Sequence, residues 1–192
     1  MLNDPLFRRI RQHAEKRLVF SEAENNDERI AMLKEFVRLE KEMLKRYHRK
    51  GDSGLRVTRA QAIVMDVIIE NLYARAVKRC KRECGKATSF SLLANGGYGR
   101  GELNPHSDVD LMFLHPVGWS ASNAEAQREI VTREILYPLW DTGFKVGHSS
   151  RTWRDALIEC KRDERTRNAL LDSRWICGSK RLADKFLMKF RR

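Results

Sequence analysis

The stretch Gly96 to Leu114, GGYGRGELNPHSDVDLMFL, links two short apolar runs through a glycine-rich turn and sets two aspartates at the entrance of the second run. The first run, SFSLLAN (89–95), ends at the paired glycines and reads as a buried strand. Gly96 and Gly97 allow a sharp turn with exposed backbone, where a side chain would keep phosphate oxygens away from the N–H groups. A short helical turn then carries Arg100, whose planar guanidinium offers a forked cation to a phosphate. Asn104-Pro105-His106 turns the chain into a second strand, VDLMFLH (109–115), stopped by Pro116.

Asp108 and Asp110 are two residues apart at the start of that strand, so they share a face, with Cα atoms about 6.5–7 Å apart at ~3.3 Å per residue. Val109, Leu111 and Phe113 take the opposite face and anchor it. Two like charges on a buried strand are costly without a cation, and carboxylates aimed together can reach divalent ions sitting about 3.5–4 Å apart. Asp-x-Asp alone is also what a solvent-facing strand edge looks like. The preceding glycine turn and the arginine in the loop tip the reading toward a metal-binding pair. Two other phosphate motifs fail: Gly97, Gly99 and Gly101 are spaced GxGxG rather than GxGxxG, and GxxxxGK[ST] does not occur.

Outward from this segment the pattern is mostly helical. Thr58 and Gln61 fit a capping box for a long helix over 58–84, whose stripe (Ile63, Val64, Val67, Ile68, Leu72, Ala76, Cys80) is structural. Lys and Arg crowd its last turns and Gly85 stops it. Before it, GDSG (51–54) reads as a linker. The first fifty residues read as helix, with Ile30, Leu33, Phe36 or Val37, Leu39 or Glu40, and Met43 or Leu44 inward, and SEAENND (21–27) as a break. After the second strand, Ser122 with Glu125 caps a helix to about Trp140. FKVGHS (144–149) is a third strand, Thr152 opens a helical region to about Leu171, and Ser173 to Cys177 is a fourth strand. The expected fold is α+β (α/β-like), a small mixed sheet with helices packed on it. Its parts are an N-terminal helical segment and linker over 1–54 and a catalytic domain over 55–192 with its core at about 88–178.

Composition bounds the rest. The 192 residues are 42% hydrophobic and 33% charged, the balance of a globular domain. No apolar run reaches the ~18–20 residues of a membrane span, and the N-terminus lacks the apolar core of a secretory signal, so a cytoplasmic protein with no membrane partner is expected. The net charge of +12 is spread along the chain, with a concentration over Arg75–Lys86. No aromatics interleave with that run, so it reads as a solvated face, or one suited to triphosphates or an acidic partner, rather than as a nucleic-acid platform. Cys80, Cys84, Cys160 and Cys177 form no CxxC pair. Cys80 and Cys84 lie one helical turn apart, but no second pair follows at zinc-site spacing, so buried thiols are expected. Trp119, Trp140, Trp153 and Trp175 read as packing anchors, and His148 as a histidine that fixes a loop, with a nucleotide contact as the alternative.

GGYGRGELNPHSDVDLMFL closely resembles the nucleotidyltransferase signature of the polymerase-β superfamily. Together with LWDTGFKVGHSSRTW (139–153) and TRNALLDSRWICG (166–178), it resembles the bacterial protein-PII uridylyltransferase (uridylyl-removing) family. The wording GGYGRGEL and VGHSSRT favours that family over the adenylyltransferase acting on glutamine synthetase. A nucleotide-binding regulatory module without turnover is the non-enzymatic alternative.

The resemblance implies transfer of UMP from UTP to a tyrosine of the trimeric PII signalling protein, in nitrogen regulation, with pyrophosphate leaving. It implies that Gly96 and Gly97 cradle the triphosphate, that Asp108 and Asp110 hold Mg²⁺, and that Arg100 and Ser107 touch phosphate or support those that do. The superfamily usually supplies a third carboxylate from a later strand. The third strand here offers Lys145 and no acid, which leaves Asp141, taken first, or Asp172; each also reads as a turn or capping residue. The family's HD-type hydrolase domain and paired ACT domains have no counterpart in these residues, so a piece of a longer enzyme is expected.

Overall fold

The computed structural model describes residues 4–20, 25–85, 90–117 and 121–191, except for the side chains of 121–124. Two helices lead the chain. In α1 (Pro5–Arg17) the Asp4 side chain accepts from the Leu6 N–H and Pro5 occupies the first turn, where its missing N–H costs nothing. Helix α2 (Asn26–Arg49) starts on a reciprocal Asn25–Glu28 capping box, which accounts for the break expected near residue 25. It buries Leu33, both Phe36 and Val37, both Met43 and Leu44, and Glu40 rather than Leu39. The buried Glu40 carboxylate meets His13 of α1 at 2.9 Å.

Helix α3 (Gly54–Cys84) begins four residues before the expected start. Ser53 caps it through the Arg56 N–H, and the Thr58 hydroxyl instead donates to the Leu55 carbonyl, so the box expected at Thr58 and Gln61 is not formed. The helix ends on Gly85 at φ +67°, a left-handed conformation that glycine adopts without strain. Its apolar stripe fills the main core, which also takes in Leu6 and Ile10 of α1, Phe36 of α2 and the inward face of the sheet.

Four strands form one mixed sheet in the order β3-β2-β1-β4. Strand β1 (Ser91–Ala94) runs antiparallel to both β2 (Val109–His115) and β4 (Arg174–Gly178), while β2 pairs in parallel with β3 (Val146–Thr152). Val109, Leu111 and Phe113 turn into the main core as expected, each 1% exposed. Met112 and Leu114 turn the other way, into a second core with Leu93, Ala156, Leu182 and Phe186. Helices α7 (Trp153–Arg162), α8 (Glu164–Leu171) and α9 (Lys180–Phe190) supply that side. Asp163, in extended conformation, splits the helical region expected over 152–171 and caps α8 with its carboxylate.

Between β2 and β3 the chain is helical but not one helix: α5 (Ala121–Val131), a π-helical turn (Thr132–Leu136) and α6 (Tyr137–Asp141) follow one another. The expected Ser122 cap falls on side chains outside those described, as do Trp119 and the start of SFSLLAN. The π turn buries Glu134 among Arg29, Arg75 and Arg79, at 2.7, 2.8 and 2.5 Å. Burial by itself would raise this carboxyl. The hydrogen bonds and charges of Arg79, Arg29 and Arg75 outweigh it and hold the group below the usual carboxylate range. Two arginines of the basic run over 75–86 are thus committed to a structural ion cluster. Cys80, Cys160 and Cys177 are buried, and burial pushes the Cys80 thiol up to about 12, in keeping with inert packing residues.

Candidate active site

Strand β1 delivers the chain to the glycine turn, and Asn95 is fixed twice on arrival. Its N–H donates to the Asp110 carbonyl at 3.0 Å, and its buried side-chain oxygen accepts from the Ser173 hydroxyl at 2.7 Å. Gly96 takes φ +55° and opens a single helical turn, α4 (Gly96–Gly99). Gly99 packs so closely that a Cβ there would lie 2.2 Å from the Asp172 carbonyl oxygen. Tyr98, 1% exposed, points into the protein and donates to Asp66 of α3 at 2.7 Å. Arg174 at the start of β4 grips the same carboxylate through two bonds of 2.9 and 3.0 Å. Burial first, and the Asp66 charge second, push the Tyr98 hydroxyl well above its ordinary pKa, so it stays a neutral donor. The glycine turn is therefore bolted to α3 and β4 by a buried tyrosine–aspartate–arginine group.

Across the turn lie the aspartates. Asp110 is the second residue of β2, on the face of Met112 and Leu114 but beyond the end of the second core, and so it is exposed. Asp108 directly precedes the strand, whose first N–H, that of Val109, donates to the Lys145 carbonyl at 2.8 Å. Partial desolvation, and then the neighbouring Asp108 charge, raise the Asp110 carboxyl above the ordinary aspartate value. Glycines flank this carboxylate on two sides. A Cβ on Gly96 would stand 3.5 Å from Oδ2, and one on Gly147, its register partner on β3, would stand 2.6 Å from Oδ1. The result is a pair of hard oxygen donors in a cradle kept open by two missing side chains, a set that fits magnesium.

A cleft of about 650 Å³ gathers Gly97, Arg100, Ser107, Asp108 and Asp110 together with Thr58 near the start of α3. The structure thus places most of the expected site in one cavity, with Gly96 against Asp110. Glu102 also lines the cleft, whereas neither expected third acid does. Asp141 lies at the end of α6, outside the cleft lining, and Asp172 accepts from Arg100 at 2.5 Å. Among the described residues no group of three or more His, Cys, Asp or Glu side chains is arranged to hold a metal ion. His148 is on β3, its ring 5.8 Å from Trp140, and does not line the cleft. Trp153 and Trp175 pack against the second core.

Sequence reading missed Asp66, Tyr98, Arg174 and Gly147. The available signals were an acid embedded in the apolar run IVMDVII of α3 and a glycine inside a strand pattern.

Residues 9–139 match the family described as glutamate-ammonia ligase adenylyltransferase. Curated relatives are bifunctional uridylyltransferase/uridylyl-removing enzymes. That of Caulobacter vibrioides is 36% identical over 173 residues, covering 89% of this chain and 18% of the relative. That of Novosphingobium aromaticivorans is 34% identical over 151 residues, covering 78% and 16%. That of Bradyrhizobium sp. (strain ORS 278) is 38% identical over 133 residues, covering 67% and 13%. The chain spans less than a fifth of the length of these relatives. A mixed α+β sheet domain with a glycine turn facing an aspartate pair, and these matches over most of its length, place the chain in the nucleotidyltransferase family that the glutamate-ammonia ligase adenylyltransferase model describes.

Proposed function

We propose that this chain carries out metal-dependent transfer of UMP from UTP to a tyrosine of the PII signalling protein, in the cytoplasm, as a step of nitrogen regulation. The observation that carries the proposal is the shared cleft of Asp108, Asp110 and the glycine turn, with Gly96 and Gly147 leaving the Asp110 carboxylate uncovered on both flanks. The relatives' name supplies the uridylyl group, and the resemblance to the PII-modifying family supplies the acceptor.

In this reading Gly96 and Gly97 let the triphosphate approach the backbone of the turn, and Arg100 and Ser107 contact its oxygens. Asp108 and Asp110 would hold Mg²⁺, an ion usually bound through one or two carboxylates plus substrate phosphates. Bound there, magnesium supplies activation of the acceptor oxygen and neutralisation of charge on the departing group. The phenol oxygen forms a bond to the α-phosphorus, the bond from that phosphorus to the bridging oxygen breaks, pyrophosphate leaves and the phenol proton passes to water.

The test is transfer of label from α-labelled UTP to PII. Asp108→Asn and Asp110→Asn each abolish Mg²⁺-dependent transfer while far-ultraviolet circular dichroism is unchanged; transfer at the unaltered rate in either variant removes the metal assignment. The family match favours one second reading, transfer of AMP from ATP to a protein such as glutamine synthetase. Parallel reactions with labelled ATP decide between the two. Nucleotide binding without pyrophosphate release would instead identify a regulatory module.

A further inference from the structure

A second cavity, of about 490 Å³, adjoins the aspartate cleft and shares Leu103, Asn104 and Ser107 with it. Its floor is apolar: Leu44, Val57, Val109 and Phe144. Lys41, Lys45 and His48 from α2, His106 from the loop before β2, and Lys145 from the segment before β3 line it as well, and no acid is among its lining residues. Lys41 lies over the Phe144 ring at 5.6 Å, while the side chains of Lys45 and Lys145 are exposed. The wall between the two cavities is the Leu103–Ser107 loop, in which His106 holds φ +92°. A residue other than glycine rarely takes such a conformation, and such residues concentrate where a loop has work to do.

We infer that this cavity docks an acidic, aromatic-bearing loop of the acceptor protein and delivers its hydroxyl to the aspartate pair, an assignment that rests on the functional reading above. In-line displacement sets the attacking and departing oxygens on opposite sides of the phosphorus. With the departing pyrophosphate at Gly96–Arg100, the acceptor arrives from another side, and the cavity that borders the cleft through Asn104 and Ser107 provides that route. The apolar floor suits an aromatic ring, and the lysines and histidines suit carboxylates flanking it. A nucleobase fits less well. Uracil is neutral and offers only two carbonyl acceptors, so it would leave most of the five basic side chains unused. An extended nucleic-acid strand would need stacking aromatics, and Phe144 is the one aromatic in the lining.

The test measures equilibrium binding of fluorescently labelled trimeric PII to the 192-residue chain with Mg²⁺ and a non-hydrolysable UTP analogue, and binding of the analogue itself. Reversing both exposed charges (K45E/K145E) weakens PII binding by about tenfold and flattens its salt dependence, leaves analogue binding within about twofold, and K45R/K145R restores PII affinity. Unchanged PII affinity in K45E/K145E overturns the inference. So does a loss confined to the analogue, which would make the cavity a base pocket. An unaltered chain that binds the analogue but not PII also overturns it and leaves the nucleotide site standing. An unaltered chain that binds neither overturns the functional reading as well.

Discussion

Gly147 stands across from Asp110 in the parallel pairing of β2 and β3, and a Cβ at Gly147 would lie 2.6 Å from the Asp110 Oδ1 atom. The contact is with the far end of a flexible side chain rather than with backbone, so an added methyl group displaces the carboxylate instead of the strand. Gly147→Ala is expected to fold with unchanged thermal stability and to lose about 10- to 100-fold in Mn²⁺ affinity, the range seen when the support of a metal ligand is disturbed. Paramagnetic titration of Mn²⁺ in the presence of UTP reads this directly. Wild-type affinity in the alanine variant would mean that Asp110 does not need the room.

The Tyr98–Asp66–Arg174 group ties the glycine turn to the long helix, and its members differ in what their loss exposes. Tyr98→Phe removes one donor and leaves Asp66 bonded to Arg174, a cost of about 1–2 kcal/mol. Asp66→Ala leaves the Arg174 guanidinium without its carboxylate. The cost is about 3 kcal/mol, at the low end for a broken buried pair because the Arg174 side chain is 34% exposed and water screens it in part. Urea unfolding of the two variants measures the order, and an Asp66→Ala variant as stable as Tyr98→Phe contradicts it.

These residues also mark how far the chain was legible before folding. The strands around the aspartates, the inward set Val109, Leu111 and Phe113, and the nearness of Gly97, Arg100, Asp108 and Asp110 follow from alternation and turn chemistry, which are local, whereas Ser107 in the same cleft was named only by the resemblance. The start of α3 lies earlier than the pattern at Thr58 and Gln61 suggests because Ser53 caps it, and Arg56 of its first turn is tied to Asp4 ahead of α1, a partner distant in sequence. The single helix expected over 122–140 hid a π turn, because the reason for it is long-range: Glu134 is drawn into arginines contributed by α2 and α3. Asp66 was passed over for the same reason, since its partners lie 32 and 108 residues away in sequence. Gly147 matters only through its neighbour on β2, and pairing between strands is invisible in a strand read alone.

Asp172 was one of two candidates for a third metal ligand, yet it holds the Arg100 guanidinium at 2.5 Å. The two roles predict opposite outcomes for Asp172→Asn. If Asp172 competes with phosphate for Arg100, the variant frees the arginine and UTP binds a few-fold more tightly, a modest gain because both side chains are substantially exposed. If Asp172 ligates metal, Mg²⁺-dependent binding collapses. Calorimetric titration with UTP at saturating and at zero Mg²⁺ separates the two, and the competition role is the expected result. Arg100→Ala should weaken UTP in the same assay, and an unaltered Kd would take Arg100 out of the phosphate site.

His115 closes β2 at 4% exposure, its Nε2 2.7 Å from the Ser150 hydroxyl oxygen. Burial, with a smaller contribution from the Arg128 charge, lowers its pKa from 6.5 to about 4, so the folded protein keeps the ring neutral where the unfolded chain protonates it. The unfolded state therefore binds more protons between these values, and stability rises with pH across that window. Above about pH 6.5 the group has no effect; as pH falls toward 4 it costs up to roughly 3 kcal/mol. Structural carboxylates such as Glu134 also lose stability in acid, but their effect is concentrated below about pH 5 because their reference pKa values are lower. The Glu70 and Asp110 carboxyls, raised chiefly by burial, act in the opposite sense just above their ordinary values, so it is the difference in urea midpoint from a variant lacking the imidazole, taken between pH 6.5 and 5, that isolates the histidine. His115→Gln keeps a side chain able to hydrogen-bond Ser150 and cannot titrate, so the unaltered protein's midpoint should fall relative to that of the variant; an equal change in both would show that some other group carries the pH dependence.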